Sequence, residues 1–131
     1  MMRHCHLLFA ALLGGFFVLA TPAQASLTIQ DYLDIKLGRK EGVDSSVLSL
    51  YLWGALDALL IANQAAETLG TPRFFCEPES DVELSIDDFR TMVDSQLEKL
   101  RLEPDFDRRA GEMTVGQLAL IALIDKFPCR E

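Results

Sequence analysis

The chain predicts an all-α fold, a small bundle of four helices or slightly more, closed by one disulfide and preceded by a cleavable signal peptide. Three observations predict it. The run from Val47 to Ala62, VLSLYLWGALDALLIA, is rich in Leu and Ala and too long for an ordinary strand. Thr28, Ser85 and Thr114 stand as capping residues ahead of the other apolar runs. Glycine or proline then follows each run, at Gly38, Gly70, Pro104 and Pro128.

The first 25 residues read as an export signal. Arg3, flanked by His4 and His6, makes a short positive region, Leu7 to Ala20 is uninterruptedly apolar, and Ala23-Gln24-Ala25 is a small-x-small cleavage site. Cutting is expected after Ala25. The apolar stretch is short for a retained anchor, and Cys5 precedes it, which is the wrong place for a lipidated N-terminus. Residues 26–131 then form a single domain in an oxidising compartment, the periplasm.

The first helix is expected from Thr28, with Asp31 three residues on, to Leu37, and Gly38 stops it. Its stripe of Ile29, Tyr32 and Leu33 is narrow, which predicts a peripheral helix docked on the central one. After a polar linker the central helix starts near Asp44–Ser46 and continues to about Leu69, ahead of Gly70. It is apolar nearly all round, with Ser46, Ser49, Asp57, Asn63 and Gln64 loosely on one side, so it needs neighbours on more than one face. A membrane span is disfavoured because the apolar run falls short of the roughly 20 residues a bilayer asks for, and Asp57 sits near its middle.

Pro72 and Pro78 forbid regular helix through Thr71 to Pro78, where Phe74 and Phe75 are expected to pack inward. Glu77, Glu79, Asp81 and Glu83 follow as an acidic stretch, a solvated loop or a binding surface. The third helix carries Ile86, Phe89, Val93, Leu97 and Leu100 at helical spacing, with Arg90, Asp94, Glu98, Lys99 and Arg101 outside. Arg101 to Met113, with Asp105, Asp107 and Arg108, reads as a charged projecting connection. Thr114 opens the fourth helix, apolar on every side from Leu118 to Ile124, which ends before Phe127-Pro128-Cys129.

Charge and residue usage bound the function. Loss of the signal removes Arg3 and no acid, leaving eleven bases against twenty acids, a net −9. That balance argues against nucleic acid and against an anionic membrane surface as partners. Both histidines lie in the signal, so His-dependent nucleophile arrangements and zinc sites are absent from residues 26–131. No enzyme and no cofactor is expected. Asp105 and Asp107 ahead of Gly111 and Glu112 only superficially suggest a calcium loop, because Arg108 and Arg109 intrude and the glycine is misplaced. Cys76 and Cys129 remain after cleavage, and in an exported chain they are most simply one disulfide, the alternative being two free thiols in a reducing compartment.

Taken together, Tyr51-x-Trp53-Gly54-x-x-Asp57-Ala58, then Cys76-x-Pro78, an amphipathic helix reaching Pro104, and an apolar helix closing in Phe127-Pro128-Cys129 form an ordered set. It resembles the Rap/Tai type of type VI secretion immunity proteins over Tyr51 to Cys129. The resemblance implies a helical, disulfide-linked periplasmic protein, often a homodimer, that binds and blocks a peptidoglycan amidase effector. It matches Cys76 and Cys129 to the disulfide pair, Gly54 to a small position where a helix approaches closely, and Asp57 to an acidic position in the central helix. For Asp57 a structural role, bonding a backbone end or a nearby Arg, is favoured over effector contact. The expected inhibitory surface is Glu77, Glu79, Asp81 and Glu83, or Asp105, Asp107 and Arg108, or both. Trp53, Leu56 and Leu60 are the expected dimer seam, with burial in a monomer as the alternative. A periplasmic acid-stress chaperone similar to the HdeA type is the second reading, since such an acidic chain becomes strongly cationic below about pH 3.

Overall fold

The computed structural model describes residues 26–76 and 84–129; the expected signal peptide and the acidic residues Glu77, Glu79, Asp81 and Glu83, with Pro78, lie outside the described residues. Five helices follow one another: α1 (Ile29–Lys36), α2 (Ser46–Thr68), α3 (Ile86–Arg101), α4 (Phe106–Glu112) and α5 (Val115–Lys126). No strand occurs among the described residues, and Cys76 is bonded to Cys129 with their Cα atoms 4.9 Å apart.

Local chemistry sets the helix starts. The hydroxyls of Thr28, Ser85 and Thr114 accept the backbone N–H groups of Asp31, Asp88 and Gln117, three residues on. At Thr114 the Gln117 side chain also accepts from the Thr114 backbone N–H, completing a reciprocal box. α2 differs: the Asp44 carboxylate takes the Ser46 N–H at 2.7 Å, and Ser45, at the cap position, makes no side-chain bond. Gly38 and Gly70 stop α1 and α2 in the left-handed region, with φ of 66° and 70°.

Packing departs from expectation at α1. Ile29, Tyr32, Leu33 and Ile35 are all buried, so this helix is part of the core and not peripheral. The cause is a backbone seam that side-chain periodicity does not register. Ile29 N–H donates to the Met113 carbonyl and Val115 N–H to the Leu27 carbonyl, around an antiparallel bridge between Thr28 and Thr114. Two threonine caps thereby lie side by side, and the entries of α1 and α5 are joined.

α3 is the most amphipathic element and occupies the middle of the packing. Phe89, Val93, Leu97 and Leu100 are buried and Ile86 is half-buried, as its spacing predicts. It packs most extensively against α5 and next against α2, while α2 and α5, the two most apolar helices, share a smaller contact.

The charged stretch after α3 is not a projecting connection. Residues Phe106–Glu112 form α4, which packs on α1 and buries Ala110 completely. An apolar pair at (i, i+4), Phe106 and Ala110, faces the core, and Arg108 bonds Glu112 one turn on and Asp105 one turn back. Seven residues with one apolar pair give too little periodicity to be read as a helix from sequence.

Candidate interaction surfaces

Two regions of the surface bear on binding: the outer face of α2, and the end of the bundle where the disulfide sits. The second is built around Asn63. This residue is fully buried, its Nδ2 donates to the Phe75 carbonyl at 2.9 Å, and its Oδ1 accepts from the N–H groups of Phe74 and Phe75 at 2.9 and 3.3 Å. Sequence reading placed Asn63 on the polar side of the helix; the structure puts it inside, because the backbone after α2 turns back over it. Phe75 is buried beside it, whereas Phe74, expected inward, is half in solvent.

From there the chain is tied to α5. Cys76 N–H donates to the Phe127 carbonyl at 2.8 Å, and the Cys76–Cys129 bond closes the same junction. Phe127 is half-buried against the core, and Pro128 and Cys129 are exposed. The acidic residues Glu77 to Glu83 lie in sequence between this junction and the Ser85 cap, outside the described residues.

The other expected inhibitory residues are largely self-neutralised. Arg108 sits between Asp105 at 2.5 Å and Glu112 at 2.7 Å, and Arg109 bonds Glu103. Hydrogen bonding to Asp105, with the Glu112 carboxylate beside it, raises the Arg108 pKa further. Asp107 is exposed and is in no ion pair among the described residues. Apart from Asp107, the acidic side chains of this corner are paired with Arg108 or Arg109.

α2 and its C-terminal end present several exposed apolar side chains. Val47, Leu50, Trp53, Ile61 and Leu69 are exposed, and so are Gly54, Ala58, Ala62 and Ala65. Of the expected seam residues only Trp53 faces out; for Leu56, 6% exposed and part of the core, the alternative of burial within the monomer holds, and Leu60 is half-buried. No atom of the chain lies within 4 Å of a Cβ built on Gly54, so no helix of the chain itself approaches there. Asp57 makes no hydrogen bond or ion pair among the described residues, which leaves the expected structural bond to a backbone end or an Arg without support. It lines a surface hollow with Leu60, Ile61, Gln64, Glu67 and Arg73. α2 has the span expected from its Asp44–Ser46 start and Gly70 stop, and at 23 residues it is long and apolar enough to cross a membrane by length and composition.

A second hollow lies at the α2 entry, between Tyr32, Lys36, Ser49 and Arg90. These four side chains are already matched. The Tyr32 hydroxyl donates to Asp94 at 2.9 Å, Lys36 pairs with Asp94 at 2.7 Å, and Arg90 donates to the Ser49 hydroxyl. Burial, and then the Asp94 charge, push the Tyr32 hydroxyl well above the ordinary phenol range. No group of three or more His, Cys, Asp or Glu side chains that could hold a metal occurs among the described residues. The chain matches no family model, no curated protein and no solved structure.

Proposed function

We propose that the chain is an exported, periplasmic immunity protein that binds a peptidoglycan amidase effector of a type VI secretion system and blocks it without chemistry of its own. The observation that carries this reading is the junction at Cys76, Phe127 and Cys129. The two cysteines expected to pair are bonded, and they pair at the Phe-Pro-Cys ending on which the resemblance rests. In this reading the stapled junction fixes Cys76, from which Glu77 to Glu83 follow in sequence, and a pre-ordered inhibitor pays a lower ordering cost on entering an enzyme cleft.

The test is inhibition of peptidoglycan peptide cleavage by an amidase encoded beside the gene, with oxidised residues 26–131 titrated to equimolar. Stoichiometric block is expected, and reversal of charge at Glu79 and Asp81 together should slow association and make it more salt-sensitive. No binding and no block by the correctly oxidised protein refutes the reading.

A second reading, an acid-stress chaperone similar to the HdeA type, is favoured by one feature. Two ion pairs between elements use carboxylates: Lys36 of α1 pairs with Asp94 of α3, and Lys99 of α3 with Asp125 of α5. Protonation would release them and loosen apolar helices. Suppression of aggregation below about pH 3, without amidase binding, would put this reading first.

A further inference from the structure

The open side of α2 carries Val47, Leu50, Gly54, Ala58, Ile61 and Ala65, a row about 27 Å long at 1.5 Å per residue. Asp57 stands in the middle of it, exposed, with no hydrogen bond or ion pair among the described residues. Contiguous apolar surface on a small domain marks a contact with something else, and a charge inside a covered contact needs a counter-charge. We infer that this face docks an amphipathic helix of another protein, one that carries an arginine within its own apolar stripe, with the guanidinium entering the hollow at Asp57. The inference does not rest on the amidase reading, which uses other residues.

Three observations select that occupant. α2 has no Lys or Arg from end to end, so a second α2 laid along this face brings Asp57 no counter-charge. The interior of a lipid layer brings none either, and an ionised carboxylate is costly there. An apolar helix with a cation satisfies both the row and the charge, as a helix does when it lies on a partner through residues at i, i+3 or i+4, and i+7. Second, the hollow suits a cation on an apolar stem. Leu60 and Ile61 line it beside Asp57, Gln64 and Glu67, and the one cation on its wall, Arg73, sits 3.9 Å from the Glu67 carboxylate, which leaves Asp57 as the open one. At about 350 Å³ the hollow lies at the lower end of small-molecule sites, with room for one side chain of a larger partner. Third, Trp53 lies one turn before Asp57 and is 59% exposed. An indole and a carboxylate at this spacing suit a planar guanidinium, which stacks on the one and pairs with the other, better than they suit the compact ammonium of a lysine. The net negative charge of the chain draws a basic segment toward it.

Trp53 is the only tryptophan in the chain, so its emission reports on this face. The probe is a synthetic helical peptide of about 18 residues, long enough to span the row, with leucines at helical spacing and one arginine among them at the centre. A saturable blue shift of the Trp53 emission is expected. The same peptide with its arginine moved to the polar face, equal in net charge, should bind about tenfold more weakly. Asp57→Asn should remove that difference, and Asp57→Arg should transfer the preference to a peptide with glutamate in the arginine's place. Asp57 is exposed, so both variants should keep the helix content of the parent by circular dichroism. Equal binding of the two arginine peptides, a preference that survives Asp57→Asn, or no spectral change overturns the proposal. So does a face already covered in the wild-type protein, whether by a second copy, seen in sedimentation as a dimer that Ile61→Lys dissolves, or by phosphatidylcholine vesicles on flotation.

Discussion

Asn63 is the residue on which the disulfide end of the molecule turns. Three backbone groups, the N–H groups of Phe74 and Phe75 and the Phe75 carbonyl, have its fully buried side-chain amide as partner. Removing one partner of a buried bond leaves the other's desolvation uncompensated, at about 1–3 kcal/mol per site. Asn63→Ala should therefore destabilise the domain by about 2–3 kcal/mol, near the upper part of that range, read as a lower midpoint in urea. Asp at this position should do little better, since a carboxylate can accept from Phe74 and Phe75 but cannot donate to the Phe75 carbonyl. Tyr32 is the second case. Its pKa is raised in the folded state, so the folded chain keeps a proton that the unfolded chain releases. That contribution is fully present below about pH 10 and is lost as pH rises through the folded value. Tyr32→Phe should cost about 1 kcal/mol at neutral pH, because Asp94 still holds Lys36, and should flatten the loss of stability above about pH 10. Tyrosinate absorbance followed through alkaline unfolding of both proteins measures it.

At the scale of elements, what was legible in the sequence was local. Thr28, Ser85 and Thr114 announce α1, α3 and α5 because a cap is a contract between residues three apart, and Gly38 and Gly70 end helices through their own backbone freedom. The buried face of α3 was equally legible, since charged residues on its other side fix its phase. The phase of α2 was not. With apolar residues all round, nothing local says which side meets the core, so sequence alone leaves Leu56 between a dimer seam and burial in a monomer and puts Asn63 on the polar side. α1 failed differently: its burial comes from the Leu27 to Met113–Val115 backbone seam, a pairing of distant segments that leaves no periodic trace. Of the candidate site residues, the cysteines were legible as the two that an expected export signal would leave, and they are bonded, whereas Asp57 and Gly54 carry no internal contact that could have disclosed a role.

For the molecule as a whole the disulfide is the element whose removal says most about how stability is distributed. It closes a loop of 53 residues that contains all of α3, α4 and α5, and the chain-entropy estimate for that length is about 4 kcal/mol. Domains of this size have about 5–15 kcal/mol in total. In the folded state the junction does not rest on the bond alone: Cys76 N–H still reaches the Phe127 carbonyl, and Asn63 still holds Phe74 and Phe75. The double variant Cys76→Ala/Cys129→Ala should consequently fold to the same helices while losing about 4 kcal/mol. Its unfolding in urea should also be steeper, because the unfolded chain without the cross-link exposes more surface, and the slope follows the surface exposed. The slope decides between two accounts of the staple. A lower midpoint with a steeper slope places its action in the unfolded chain, where loop closure puts it. A lower midpoint with an unchanged slope and lost helix signal would place it in the native junction, and Asn63 would then be the weaker of the two anchors.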